Sequence, residues 1–358
     1  MSGKILHRLF YNDEITLEYT MITTSELAKL AGVSQSTISR CLNDHPSISY
    51  ETKERVQKLA MKYGYVEQKK GRKTLFSGEH KVIGILVEDR PFFDDLFINY
   101  TIGKVISKAS AKNYYTIRLP ISSREEGCME RLREFLRLNL IDGFLIMHRH
   151  FDEEIHQYLE ELGIPHIYLL HCSRNSFEAV DMIDTDNYAG GYLATKYLID
   201  HGHRDIITLT CPWREFEDRT SGYFQALEEH NISLNKNFVL MGECSYQSAF
   251  DMTSRHLKEF SKATAIYVQS DIMATGVIAA LHHHGIRIPE DISIISSDGY
   301  DLGVISNPQF DSVAHPISEL ADLAISRLIE IIGKSKRQSP RQTILRPFIV
   351  ERGSVRKI

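Results

Sequence analysis

Two hydrophobic periods divide this chain. From Lys81 onward, short apolar runs alternate with helix-length amphipathic segments: KVIGILVE (81–88), YYTIRLP (114–120), DGFLIMH (142–148) and PHIYLL (165–170), then DIITLT, FVLM, ATAIYV and DISIIS. Apolar strands separated by helices predict parallel sheets covered by helices on both faces. Eight such runs over this length fit two doubly wound α/β lobes. The chain before Lys81 reads differently. Thr23-Thr24-Ser25-Glu26 has the spacing of a capping box, in which hydroxyl and carboxylate satisfy the free amides of a first helical turn. Leu27, Leu30 and Ala31 then recur at helical spacing, and Gly32 suits a helix stop that needs positive φ. Ser34 caps a second helix with Ile38, Cys41 and Leu42 as its inward face. Ser49 caps a third, with Val56, Leu59, Ala60 and Tyr63 as its stripe and Gly64 at its end. The fold expectation is multidomain: an all-α helix-turn-helix head followed by a two-lobed α/β core.

Composition narrows the class. The 358 residues, 42% hydrophobic and 25% charged, describe a globular chain long enough for two to three domains. No apolar run approaches the roughly 18 residues of a membrane span, and MSGKILHRLFYNDEITLEYT lacks the apolar stretch of a signal peptide, so a cytoplasmic protein with no membrane partner is expected. Cys41, Cys128, Cys172, Cys211 and Cys244 are too widely spaced for a CxxC metal site or a disulfide framework and are expected as free thiols. The net charge of −5 conceals a split, because residues 21–75 carry ten Lys/Arg against five Asp/Glu. A basic head on an acidic body suggests that the head meets a polyanion and the body does not.

The second helix says which polyanion. Gln35, Ser36, Ser39 and Arg40 share its outward side, where an ordinary exposed helix would carry Glu and Lys. Gln can pair with adenine and Arg with the acceptors of guanine, and short hydroxyls allow close approach to phosphates. AKLAGVSQSTISRCLN, followed by SISYETKERVQKLAMKYGY, resembles the DNA-binding head of the LacI/GalR family, the lactose-repressor type of bacterial regulator, without gaps from Thr23 to Tyr65. The resemblance implies base contacts by Gln35, Ser36 and Arg40, within a DNA-binding set that also takes in Thr23, Ser34, Thr37, Ser39, Asn43, Lys69, Arg72 and Leu75.

The segment after the head departs from that family's pattern. A short helix that wedges leucines into the minor groove is usual there, but this chain reads YVEQKKGRKTL, with Glu67 for proline, Gly71 for alanine and Leu75 one residue late. Glycine inside a helix costs about 1 kcal/mol relative to alanine. Two readings stay open: a hinge helix in which Lys69, Lys70, Arg72 and Lys73 hold phosphates, or a flexible basic tether. Residues 1–20 have no counterpart in the family and are expected to be disordered or to reflect a start assigned too early.

The body resembles the periplasmic-binding-protein-like core of the same family in VIGILVEDRPFFDDL, DNYAGGYLATKYLIDHGHRDI, RTSGYFQAL, SDIMATGVIAALHHHGIRIPEDISIISSDGYD and ILRPFIVERGSV. The resemblance implies three crossings between lobes and a small molecule in the cleft at the strands' carboxyl ends. The expected division is a head at 21–66, a linker at 67–80 and a core at 81–358, the core splitting into 81–203 with 315–340 and 204–314 with 341–358. The implied effector contacts are Phe92, Phe93, Arg219, Asp271 and Asp301, with Trp213 a further candidate on the loop before Arg219. Plainer readings exist: Phe92 and Phe93 as core, Asp271 as a helix cap, Arg219 and Asp301 as a structural ion pair, Trp213 as an exposed loop residue. His282, His283 and His284 are consecutive and point around their helix, so they suit its negative end better than one ion. His201, Gly202, His203 and Arg204 read as a structural helix terminus. His148 and His150 follow a strand end that could reach the cleft. No metal or other cofactor is expected.

The functional expectation is therefore a DNA-binding transcriptional regulator, a repressor in most members of that family, acting as a homodimer on a near-palindromic operator. Its effector would be a sugar or sugar derivative, with a purine or another metabolite as the alternative. A tetramer is not indicated, because no heptad tail follows FIVERGSV. An enzyme is disfavoured: there is no GxGxxG after a strand, no P-loop and no GxSxG elbow, so no catalytic residue is named. A secreted sugar-binding protein would share the core but need an export signal and no head.

Overall fold

The computed structural model describes residues 24–42, 45–62, 80–88, 96–121, 126–138, 140–148, 151–170, 180–334 and 339–358. The chain divides into two compact units, residues 1–74 and 75–358, and the division falls within the expected 67–80 linker.

In the first unit, α1 (Thr24–Ala31), α2 (Gln35–Leu42) and α3 (Tyr50–Lys62) close around Leu27, Ala28, Ala31, Ile38, Cys41, Val56 and Ala60. Gly32 turns the chain at φ 64°. Ser34 Oγ accepts from the Thr37 amide at 3.1 Å and Ser49 Oγ from the Thr52 amide at 3.4 Å, so both expected caps form. The α1 stripe differs from the expected one: Ala28 is buried and Leu30 is 50% exposed. A helix this short turns one narrow face to two neighbours, and the position after Leu27 falls inside that face while Leu30 falls at its edge. Thr23, Tyr63 and Gly64 lie outside the described residues.

The second unit contains two six-stranded sheets. Its elements are β1 (Val82–Val87), α4 (Leu96–Ala111), β2 (Tyr115–Pro120), α5 (Cys128–Arg137), β3 (Gly143–Met147), α6 (Glu153–Leu162), β4 (His166–Leu169), β5 (Met182–Thr185) and α7 (Asn187–Asp200). These are followed by β6 (Ile206–Thr210), α8 (Arg214–Glu229), β7 (Val239–Met241), α9 (Tyr246–Arg255), α10 (Leu257–Phe260), β8 (Ala265–Val268), α11 (Asp271–His283) and β9 (Ser293–Asp298). The last are α12 (Leu302–Ile305), β10 (Asp311–Ala314), α13 (Ile317–Ile332), β11 (Gln342–Leu345) and β12 (Phe348–Val350). The first sheet runs β11-β5-β4-β3-β1-β2 and is parallel throughout. The second runs β12-β10-β9-β8-β6-β7, with β12 antiparallel to β10 and every other pair parallel.

All eight strands read from the sequence are present; β5, β10, β11 and β12 are additional. Both sheets are covered on two sides, which is why their strands are apolar at consecutive positions. In the first lobe α4 and α13 close one core and α5 and α6 the other. In the second lobe α9 and α11 cover one face while α7 and α8 cover the opposite one.

Three connections join the lobes, and two of them fall elsewhere than the expected boundaries. The first crossing is at Asp186, not after His203, because α7 packs against α8 and the second sheet. Glycines permit that packing: a Cβ on Gly191 would run into the Arg219 carbonyl, and one on Gly222 into the Tyr188 carbonyl. Asp186 starts α7 by accepting from the Ala189 amide at 2.9 Å. The second crossing lies between β10 and α13, at His315-Pro316. The third is at Arg346-Pro347 and not at 340/341, since β11 pairs with β5 in the first sheet. His203 is structural, Nδ1 lying 3.0 Å from Thr264 Oγ1 and Nε2 3.0 Å from the Arg356 carbonyl, where it fastens the C-terminal tail.

Candidate nucleic-acid interface and ligand cleft

On α2, Gln35, Ser36 and Arg40 are exposed and Thr37 and Ser39 half-buried, opposite the buried Ile38 and Cys41. The polar stripe therefore points away from the three-helix core, as helical spacing requires. Ser34 Oγ lies 2.8 Å from both Ser36 Oγ and Thr37 Oγ1, so the cap serine also gathers the first-turn hydroxyls. Asn43, Lys69, Arg72 and Leu75 lie outside the described residues, as does Thr23.

Between the two lobes of the second unit lies a cavity with about 680 Å³ of atom-free space, its mouth included. Phe97, Leu170, Asp184 and Thr185 line it from the first lobe; Glu215, Phe216, Arg219, Ser270, Asp298 and Tyr300 line it from the second. Leu170, Asp184, Thr185, Ser270, Asp298 and Tyr300 lie at or just past the carboxyl ends of strands, and Phe97, Glu215, Phe216 and Arg219 on the helices that follow β1 and β6, the usual site of ligand binding in open α/β sheets. Leu170 and Asp298, just past β4 and at the end of β9, both have positive φ, 56° and 110°. Non-glycine residues rarely adopt this conformation, and such positions concentrate at functional sites.

Arg219 organises the cavity wall. It is 4% exposed, its guanidinium lies 5.1 Å over the Phe216 ring, and its Nε donates to Asn187 Oδ1 at 2.9 Å. Nη1 donates to the Gln269 carbonyl and lies 3.5 Å from Asp298 Oδ1. Nη2 donates to His315 Nε2 at 3.1 Å. An arginine only donates, so the His315 proton sits on Nδ1, 3.0 Å from Thr185 Oγ1. Burial first, and the Arg219 charge second, hold His315 well below the ordinary histidine range, so it is neutral. Asp298 Oδ2 accepts from Ser270 Oγ and the Asp271 amide, each at 3.0 Å. Phe97 meets His315 edge-on at 5.5 Å and Tyr300 at 6.3 Å, giving the polar wall an aromatic border.

Of the residues expected from sequence, the cavity contains Arg219 and not Asp271, Asp301 or Trp213. Asp271 is fully buried: its carboxyl accepts from Ser296 Oγ, from Ser312 Oγ at 3.0 Å and from the Gly299 amide at 3.1 Å. Burial first, and the nearby Asp298 charge second, raise its pKa well above the ordinary carboxylate range, and its role is to fasten α11 to β9 and β10. Asp301 is exposed, and its carbonyl starts the short α12. Trp213 packs edge-on against Phe216 at 5.6 Å and joins the second-lobe core. His148 is buried at the end of β3, 3.7 Å from Asp152, and does not line the cavity. Phe92, Phe93 and His150 lie outside the described residues.

The sequence reading missed Asp298, Phe97, Tyr300 and His315. One signal was available for Asp298: the apolar run DISIIS continues as a strand for two more residues, which puts the first aspartate of DGYD at the strand's carboxyl end. The others sit on helix starts and turns where no spacing rule distinguishes a wall residue from core.

Comparison with known proteins agrees with this architecture. Residues 23–68 match the family model described as bacterial regulatory proteins, lacI family, and residues 195–355 match the periplasmic binding protein-like domain. The chain is 30% identical to an HTH-type transcriptional repressor PurR of Vibrio campbellii over 94% of this chain and all of that protein. It is 29% identical to the ribose operon repressor of Haemophilus influenzae, over 94% of this chain and 99% of that one. A transcriptional regulator CelR in complex with cellobiose superposes with a TM-score of 0.68 at 26% identity, covering 93% of this chain and 99% of the other. With a helix-turn-helix head, a two-lobed core and a full-length relative at this identity, the chain belongs to the LacI family of bacterial regulatory proteins.

Proposed function

We propose that this protein is a transcriptional repressor whose operator affinity is set by a small molecule held in the cleft between its two core lobes. One observation carries the reading: a helix-turn-helix head with a polar, exposed recognition face and an interlobe cavity walled by a buried arginine occur on one chain. Relatives that align over nearly their whole length are named repressors, and a neighbour of the same fold is in complex with cellobiose. In this reading Gln35, Ser36 and Arg40 contact base edges, Ser34, Thr37 and Ser39 lie along the phosphates, and a homodimer presents two such faces to a near-palindromic site.

The cleft favours an uncharged, hydroxyl-rich effector. Asp184, Glu215 and Asp298 line the described wall with a single cation, Arg219, which already donates to Asn187, Gln269 and His315. Carboxylates accept from hydroxyls and repel phosphates and acids, while Phe97, Phe216 and Tyr300 offer apolar faces to a ring's C–H groups. An unphosphorylated sugar fits this chemistry better than a sugar phosphate or sugar acid. Thermal unfolding of the full-length protein against neutral sugars, sugar phosphates, sugar acids and purines tests it. A ligand at 100 times its dissociation constant adds about 2.7 kcal/mol, enough to move the midpoint by several degrees. A shift with a neutral sugar, accompanied by a change in operator binding, is the expected result; a shift confined to phosphorylated or acidic sugars, or to purines, overturns the effector class.

A further inference from the structure

Away from the cleft, one group of side chains among the described residues has the makings of a metal site. The ligand atoms of His156, Glu160 and His166 all lie within 4.8 Å of one another. Sequence and local fold account for the convergence. His156 and Glu160 are one turn apart on α6 and so share a face. Gly163 then ends that helix at φ 67°, and three residues later His166 opens β4. Strand alternation sends Ile167 and Leu169 into the core under α4 and α13, and Tyr168 into the core under α6. His166 is in register with Tyr168 and therefore on the α6 side.

The polar geometry is specific. His156 Nδ1 lies 3.0 Å from His166 Nε2, and Glu160 Oε1 lies 3.7 Å from the same Nε2. His166 Nδ1 is 2.8 Å from the Ile164 carbonyl. A carbonyl only accepts, so Nδ1 carries the proton and Nε2 turns its lone pair toward His156 and Glu160. Orientation of one ring nitrogen by a backbone carbonyl, leaving the other to bind, is how metal-ligating histidines are usually held.

We propose that His156 Nδ1, His166 Nε2 and Glu160 Oε1 bind a divalent transition-metal ion, zinc by preference, at the corner between α6 and β4. Zinc–nitrogen and zinc–oxygen bonds of about 2.0–2.2 Å put two ligands of a tetrahedral ion roughly 3.3 Å apart, and the separations of 3.0 and 3.7 Å bracket that value. Two imidazoles and one carboxylate suit a borderline ion and not calcium or magnesium, which take oxygen ligands. The fourth position is left to water. Access is from the carboxylate side, since the side chain of Glu160 is 27% exposed and that of His166 is 5% exposed. Without metal, His156 Nδ1 donates to the His166 Nε2 lone pair, and that proton must leave Nδ1 before it can bind an ion. The bound ion fastens α6 to the start of β4 and stabilises the first lobe. None of the three ligands lines the interlobe cavity, so the site stands apart from the effector reading.

The test is a titration of chelator-stripped, full-length protein with Co²⁺, read by its visible ligand-field absorption, and with Zn²⁺, read by competition and by the thermal midpoint. The expected result is one equivalent bound, a midpoint raised by Zn²⁺, and affinity lowered at least about tenfold in both His166→Ala and Glu160→Gln. Glu160→Gln is the informative variant, because an exposed amide keeps the shape of the carboxylate and should leave the metal-free midpoint unchanged. A control replaces His282, His283 and His284 by alanine, because these exposed neighbours could take up metal adventitiously. No binding by the unaltered protein, undiminished binding in His166→Ala or Glu160→Gln, or loss of the signal in the triple control would each overturn the proposal.

Discussion

His315 connects the two walls of the cleft, with Thr185 of the first lobe on one ring nitrogen and Arg219 of the second on the other. Its folded pKa lies well below that of an exposed histidine, so between that value and about 6.5 the unfolded chain binds more protons than the folded one. Stability therefore rises with pH through this window and falls as the pH drops below about 6.5. Glutamine at 315 can accept from Arg219 and donate to Thr185 without titrating. His315→Gln should flatten the pH dependence measured by urea unfolding at pH 7.5, 6.5 and 5.5, and an unchanged slope would assign it to other groups. Asp298 and Asp301 offer a second discrimination. Losing a charged hydrogen-bond partner in the cavity costs about 1.5–3 kcal/mol, so Asp298→Asn should weaken effector binding roughly ten- to a hundredfold, while Asp301→Ala leaves the ligand titration where it was. On α2, Arg40→Ala should remove about 1–3 kcal/mol of discrimination between operator and unrelated DNA while the effector titration is unaffected. Loss of both together would indicate misfolding instead.

Helices and strands show where the sequence was legible and where it was not. Of the eight strands it revealed, β1, β3, β4, β6, β8 and β9 are buried between two layers of helix along nearly their whole length, while β2 and β7 lie at sheet edges and are partly exposed. The four it concealed, MIDT, DSVA, QTIL and FIV, have only three or four residues, and the first three also carry polar side chains. DSVA shows why: Asp311 and Ser312 are buried, but they are occupied in holding the C-terminal tail and Asp271. The crossing of α7 over α8 was equally unreadable, since Gly190-Gly191 in a sequence signals a weak helix and not a contact. In the fold, Gly222 is where α8 meets the backbone of α7. Gly222→Ala should therefore destabilise the protein by at least about 1–3 kcal/mol, the usual cost of overpacking, seen as an earlier urea midpoint. A neutral result would mean that the helices separate without cost.

A repressor of this kind works through linkage, because an effector that favours one arrangement of the two lobes changes operator affinity by the difference it makes between states. Coupling energies of about 1–3 kcal/mol correspond to roughly 5- to 150-fold changes in operator binding. The charge asymmetry of the chain gives a separate check. Operator affinity should fall steeply with added salt as counterions return to the phosphates, whereas affinity for an uncharged effector should hardly change. An effector affinity as salt-sensitive as DNA binding would contradict a neutral ligand. The sequence by itself determined the class of the protein: helical spacing, capping hydroxyls and apolar strand runs are local signals, and they fixed a helix-turn-helix head before a two-lobed α/β core. It also singled out Arg219, which lies in a run resembling the family's own. Only the tertiary structure decided the rest of the cleft wall and the crossing points. Phe97 lies far along the chain from Asp298, Tyr300 and His315, and all four acquire meaning from what faces them across the lobes. Asp271 and Asp298 are both strongly buried aspartates, yet one fastens a helix and the other lines a cavity, a difference set by where two strand ends happen to meet.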